Sequence, residues 1–378
     1  MVDKSKVVLA RDLVRVMERL APLELAEEWD NSGWQVGDPD ARVHKVLLAL
    51  DVTPEVVDEA VGKGVQLIIS HHPMLLKGVK ALRRDNPAGS LLFRLIQAGI
   101  GVYSAHTSLD SAEGGVNDVL ARVLGLQQIE VLQPVRYQQL LKLVVFVPAA
   151  YADAVREALG RAGAGHIGNY SHCTFNLNGT GTFYPREGTS PFIGKVGRLE
   201  RVEEVRIETI INKEKTGEVV RAMLEAHPYE EVAYDLYPLE NKGAASGLGR
   251  IGRLPLTVTL AELAGTVQQV LQGDCLRYGG DPHTLVQRIA VCGGSGGDLW
   301  PQAGQKGADV LVTGDVRYHA ARDMLAAGMS FIDAGHFATE RVVLPPLREQ
   351  LTVALAQAGL AVEIAVATCE TEPWIGVR

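Results

Sequence analysis

From residue 43 onward the chain alternates between two hydrophobic patterns. Short continuous apolar runs give way to stretches whose apolar residues recur every three or four positions, and the two patterns mark strands and helices respectively. "VHKVLLAL" reads as a strand, "PEVVDEAVGKG" as a helix opened by proline and closed by glycine, and "VQLIIS" as a second strand. "AGSLLFRLIQAG" is the next helix and "IGVYSAH" the next strand. This β-α-β-α-β order predicts a parallel sheet with right-handed crossovers, in which ligands gather beyond the carboxyl ends of the strands. Those ends carry Asp51, then His71 and His72, then His106 with Asp110 four residues further on.

The same pattern resumes late in the chain. "QRIAVCGGSGG", "ADVLVTGDVRYHAARDM" and "MSFIDAGHFATE" each run from apolar to glycine and polar, offering Asp315, His319, His336 and Glu340 at their ends. The intervening segment differs. "LLKLVVFVP" is a strand, "AAYADAVREALGRAGAG" a helix, "SHCTFNLNG" and "GTFYP" a strand pair, "VEEVRIETIIN" a strand, "EKTGEVVRAMLEAHP" a helix and "EEVAYDLYPL" a strand. The order βαββαβ is that of a ferredoxin-like unit. The expected architecture is therefore a two-part α/β core with parallel-type sheets, residues 1–137 and 238–378, interrupted by an inserted α+β ferredoxin-like domain over 138–237.

Length and composition fit this picture. A chain of 378 residues with 47% hydrophobic positions is expected to form two or three domains. A formal net charge of -8, with no basic run, argues against a nucleic-acid-binding surface. No apolar run approaches the roughly 20 residues that span a bilayer, and "MVDKSKVVLARDLVRVMERLAP" reads as an amphipathic helix rather than a signal peptide. Cys173, Cys275, Cys292 and Cys369 form no CxxC pair, which fits a reduced cytoplasm and offers no thiolate metal site.

The polar strand ends suggest metal chemistry. His71, His72, Asp110, His336 and Glu340 supply three imidazoles and two carboxylates, an inventory sufficient for two divalent ions with open positions remaining. In "HFATE", His336 and Glu340 are i and i+4, so a helix would set them on one face. Pro73 holds His72 extended, but neighbouring strand residues point to opposite faces, so joint use of the two histidines requires a backbone turn. One histidine per metal, with carboxylates between, is the expected arrangement. His106 and His319 are candidates for a further ligand, for orienting a carboxylate, or for proton transfer to a substrate. His44, His166, His172, His227 and His283 have no partner pattern and read as surface or packing residues. "GLGRIG" matches a dinucleotide fingerprint but lacks its strand and helix context. "CGGSGG" suits either an anion cradle of backbone amides or a tight turn beneath the site, and "WDNSGWQVG" brings Asp30 and Asn31 as further rim candidates.

Taken in order, "WDNSGWQVG", "SHHP", "AHTSLDSAEGGVND", "CGGSGG", "TGDVRYH" and "DAGHFATE" resemble the GTP cyclohydrolase 1 type 2 homolog family, also known as the NGG-interacting-factor-three-like family. The motifs span residues 29 to 340. The resemblance implies a dinuclear centre on His71, His72, Asp110, His336 and Glu340, and a toroidal homohexamer with its sites facing an internal cavity. It further implies that the middle segment is similar to PII and CutA ferredoxin-like trimers, through "GHIGNYSHCTF" and "AHPYEEVAYDLYPL". Three functions compete: metal-dependent hydrolysis of a nucleotide such as GTP, with His106 or His319 moving protons; metal handling or regulation without turnover, with a ligand sensed by the insert; and protein interaction with purely structural metals. Histidine and carboxylate ligands accept Zn, Mn, Fe and Ni alike.

Overall fold

Leu47 and Ala49 face one apolar layer while Val46 and Leu48 face another, and the same division splits Ile68 from Leu67 and Ile69, and Val102 from Tyr103. A strand buried on both faces reads as a continuous apolar run, which is why these segments belong to a sheet covered by helices on each side. In the computed structural model, which describes residues 7–79, 81–273 and 276–375, the strands Lys45–Ala49, Leu67–Ser70 and Gly101–Ser104 pair in parallel. Helices Ala10–Leu20 and Leu344–Gln357 supply one layer, and Pro54–Gly62 and Pro87–Ala98 the other. Cys275 and the first six residues of the expected N-terminal helix lie outside the described residues.

The second α/β sheet follows the same logic. Leu285–Val291, Val310–Thr313 and Ser330–Asp333 pair in parallel, with Ile289, Val291, Val310, Val312 and Ile332 on one face and Ala290, Leu311 and Phe331 on the other.

Neither sheet is purely parallel. Gly33–Val36 pairs antiparallel with Gly101–Ser104, and Arg277–Gly279 with Ser330–Asp333. Nor are the two parts of the core separate repeats: Glu363–Val366, from the end of the chain, returns to the first sheet beside Lys45–Ala49. The chain divides into two compact units, one comprising Met1–Arg136 with Ser246–Arg378, the other Tyr137–Ala245.

Within Tyr137–Ala245, Leu140–Pro148 and Thr174–Phe183 both pair antiparallel with Glu200–Asn212. Leu143, Val145, Val147, Val205 and Ile207 pack against Val155, Leu159, Val219 and Met223 of helices Ala152–Arg161 and Thr216–Ala226. "SHCTFNLNG" and "GTFYP" are not a hairpin but one strand, because Gly179 and Gly181 keep extended backbone instead of the positive φ a tight turn requires. Likewise the strand expected to end at "YPL" runs on from Tyr234 to Thr259, so "GLGRIG" is strand throughout. Among the described residues no helix is long and apolar enough to cross a membrane.

Arg250, the charged residue of that glycine motif, is 3% exposed. Its Nε and Nη2 donate to Asp118 at 2.5 and 3.1 Å, and Nη1 and Nη2 also reach the carbonyls of Gly247, Gly249 and Ala112. Every donor direction is used, which is the condition for a buried ion pair to be tolerated; breaking one by removing a partner costs about 3–5 kcal/mol. The pair ties the helix Val116–Val123 to the second sheet.

A second tie holds the chain end. The Glu59 carboxylate accepts the Thr368 and Cys369 amides at 3.0 and 3.1 Å and the Thr368 hydroxyl, and Glu370 accepts the Leu50 and Asp51 amides. Burial opposes ionisation of Glu59, but the bonds from Cys369, Lys63 and Thr368 outweigh it and hold the pKa down at about 2. A depressed acid stabilises above its unfolded pKa, so this contribution is full above 4.5 and is lost as pH falls toward about 2. Acid titration of thermal stability is expected to show that loss in the native protein and a shallower one in Glu59→Gln.

Candidate metal centre

After Ser70 the strand ends in a bend. The Ser70 and Ser104 hydroxyls both donate to the carbonyl of His72, at 2.8 and 3.3 Å, so the backbone turns back and brings both imidazoles to one side, ring centroids 4.9 Å apart. This is the turn that adjacent histidines require. From the second sheet, the helix His336–Arg341 sets His336 Nε2 3.2 Å from Glu340 Oε2, one turn apart as the spacing predicts. Asp110 comes from the short helix Thr107–Ser111.

The five residues form two overlapping sets. His71 Nε2 lies 3.6 Å from both Asp110 Oδ1 and Glu340 Oε1. His72 Nε2 lies 2.9 Å from Glu340 Oε2 and 3.4 Å from His336 Nε2. Both sets meet on Glu340, one through each oxygen. Contacts of 3.6 Å are too long for hydrogen bonds, yet they match ligands sharing an ion with bonds of about 2.0–2.2 Å in tetrahedral array. His71 Nε2, Asp110 Oδ1 and Glu340 Oε2 are buried atoms without a hydrogen-bond partner, each a large penalty unless a cation satisfies it. By this test the donors fit divalent metal.

The far side of each ring supports the same reading. His71 Nδ1 lies 2.9 Å from the Ala105 carbonyl, His72 Nδ1 2.9 Å from Asp51 and His336 Nδ1 2.7 Å from Asp315. An acceptor at Nδ1 places the proton there and leaves Nε2 as the ligand atom, the usual backing of metal-binding histidine. Asp315 adopts φ 52°, a left-handed conformation uncommon for aspartate, and a side chain at Gly314 would press on the backbone of His336. "TGD" is thereby explained: glycine for close approach, aspartate to orient the histidine.

Charged groups in the cluster act directly on one another. Among the protein groups alone, burial pulls the His72 pKa down, but Asp51 and Glu340 prevail and push it up to about 10; for His336, Glu340 and Asp315 likewise overcome burial and give about 9. Burial raises the Asp110 carboxyl. Burial also opposes ionisation of Glu340, yet His71, His336 and His72 hold it well below the ordinary range.

His106 forms a third group able to hold an ion with His71 and His72, its ring 5.3 Å from His71 and 5.5 Å from His72, with Nδ1 2.7 Å from Asp30. Asp30 also accepts from Thr107 and Ser32, and these bonds, against burial, lower its pKa. His319 is not brought to the cluster: it is exposed on the helix Tyr318–Ala326 with its ring against Tyr318. "CGGSGG" is a packed turn rather than an open cradle. The amides of Gly293, Gly294 and Gly296 donate to Asn117, Thr339 and Thr313, and a side chain at Gly294 would overlap Glu340 Oε1. Asn117 in turn donates to the Asp110 carbonyl, joining the two sheets' contributions. Asp51, Asp315 and Asp30 had no role assignable from spacing, because their partners lie 21 to 76 residues away.

A family model described as Duf34/NIF3 (NGG1p interacting factor 3) matches residues 8–373. The chain belongs to this family. It is 46% identical over 369 residues to the GTP cyclohydrolase 1 type 2 homolog of Halalkalibacterium halodurans, covering 98% of this chain and 99% of the relative. The Bacillus subtilis protein of the same name is 44% identical over 370 residues, covering 98% and 99%. Among solved structures, the Bacillus cereus protein related to NIF3 superposes with a TM-score of 0.89 at 47% identity, covering 98% of this chain and 100% of that one. As a NIF3 family member with groups able to hold a metal ion, the chain allows a direct test of the orienting carboxylates. Asp51→Asn and Asp315→Asn are each expected to weaken divalent-metal affinity about 10–100-fold without unfolding the protein, measured by titration calorimetry on metal-stripped protein.

Proposed function

We propose that the chain is a dinuclear metal-binding protein acting as a metal-dependent hydrolase on a small planar substrate of nucleotide type. The observation that carries this is a cavity of about 530 Å³ that opens on the cluster and is lined by His72, His106, His336 and Glu340 together with Trp29 and Leu248. A volume of this size suits a small molecule, whereas a purely structural metal site is closed on all sides. Two divalent ions would be held by His71, Asp110 and Glu340, and by His72, His336 and Glu340, and when bound they supply Lewis acidity toward a substrate oxygen. His106, oriented by Asp30 through Nδ1, keeps Nε2 as an acceptor able to take or return a proton beside the cluster. Trp29 is 62% exposed at the cavity, edge-on to His106, and offers a ring face to a planar base. The name of the curated relatives, GTP cyclohydrolase 1 type 2 homolog, supports a purine nucleotide as first choice.

The Tyr137–Ala245 unit we read as a ferredoxin-like insertion, supported by its β-α-β-β-α-β order and the antiparallel pairing of its first and third strands. Self-assembly as a homohexamer is proposed on the family resemblance; light scattering is expected to give six times the 40.7 kDa chain mass.

Activity is tested by reconstituting stripped protein with single metals and supplying GTP and a panel of phosphoesters. Metal-dependent release of formate or phosphate is expected, abolished in Glu340→Gln, with KM raised about tenfold in Trp29→Ala as one base–aromatic stack would predict. Tight, reversible metal exchange without turnover of any substrate would instead favour metal handling.

A further inference from the structure

The Tyr137–Ala245 unit contains its own cavity of about 820 Å³, lined entirely by residues of that unit. "NGTGT", residues 178–182 on the strand Thr174–Phe183, lines one wall with small side chains. A side chain at Gly181 would overlap Glu204 Oε2, so the glycine leaves room for the Glu204 carboxylate. Aromatic rings line the same space: Tyr229 stands 6.0 Å from Phe183 and 6.4 Å from Phe192, inclined at 61° and 53°. The Tyr229 hydroxyl donates to Glu204 Oε1 at 2.9 Å.

The charges around Glu204 decide what the space would take. Among the described residues, no lysine, arginine or histidine forms an ion pair with Glu204. Arg206, next on the same face of its strand, is paired with Glu208 at 2.8 Å and lies over the Phe146 ring at 5.8 Å. Arg186 also lines the cavity, at a solvent-exposed position like those of Glu230 and Glu231. His227 accepts the Tyr229 amide at Nδ1 and gives Nε2–H to the Phe146 carbonyl; burial lowers its pKa, so it stays neutral and adds no positive charge. Glu230, bound to the Ser190 amide, and Glu231 bring the lining to three carboxylates against the two guanidiniums of Arg186 and Arg206. A carboxylate without an ion-pair partner, beside several aromatic rings, is the chemistry that recognises organic ammonium groups, since the ring quadrupole and the carboxylate both attract a weakly hydrated cation.

We propose that this cavity binds a small organic cation, a quaternary or protonated amine with an apolar or aromatic body, seated between Glu204 and the rings of Tyr229, Phe183 and Phe192. The site is separate in chemistry from the metal cluster and does not rest on the hydrolase reading.

The test is calorimetric titration of the full-length protein with benzyltrimethylammonium, using benzyl alcohol as the neutral competitor. Binding by the cation is expected, weakened tenfold or more in Glu204→Gln, a change that retains the Tyr229 hydrogen bond, and resisted by benzyl alcohol at equal concentration. Phe192→Leu, at a half-exposed ring, is expected to weaken binding as well and decides the matter if Glu204→Gln fails to fold by circular dichroism. Absence of binding to the native protein, equal affinity in native and both variants, or displacement by benzyl alcohol would each overturn the proposal.

Discussion

A carboxylate that is 3% exposed must be neutralised where it lies, and the surroundings of Glu340 are organised by that demand. Three imidazole nitrogens stand within 3.6 Å of it, drawn from two strand ends of different sheets, so a cation that satisfied them would neutralise it as well. Backbone gives way as well, since only glycine at 294 leaves space for the carboxylate. A buried acid surrounded so closely by nitrogen ligands constrains the distance between the sheets, because each missing partner leaves a charge exposed to a low-dielectric interior.

The connections behind the cluster serve this closeness. Asn117 spans from the Asp110 carbonyl to the Gly293 amide, and one residue later Asp118 meets Arg250. Adjacent side chains on one helix thus grip the glycine turn and the long strand of the second sheet. Strain at Asp315 is held in place by the hydrogen bond it makes to His336, as expected where local conformation is subordinate to a site.

How much of this was legible in sequence depended on the range of the interaction. Strands with apolar residues on both faces, the helix opened by Pro54, and the i, i+4 pair in "HFATE" all arise from neighbours in the chain and were readable. Strand extent was not: Pro238, Pro255 and a run of glycines look like breakers, yet the long strand continues through them because pairing with its neighbours overrides local preference. The histidines could be found from strand ends, but their orienting aspartates could not, since a ring's second nitrogen leaves no periodic trace. Asp51 and Asp315 stood at the correct rim without a visible partner, and Asp30 lay 76 residues from His106. His319 shared the rim by position and was turned outward by its helix.

Because Glu363–Val366 closes the first sheet and Glu370 holds the amides of Leu50 and Asp51, the support behind His72 is completed by a segment that follows all five donors in the chain. A nascent polypeptide that has emerged only to residue 340 already carries all five donor side chains, yet the loop bearing Asp51 still lacks its brace. In the order of synthesis the brace follows the donors, a built-in delay between exposing these side chains and fixing them in place.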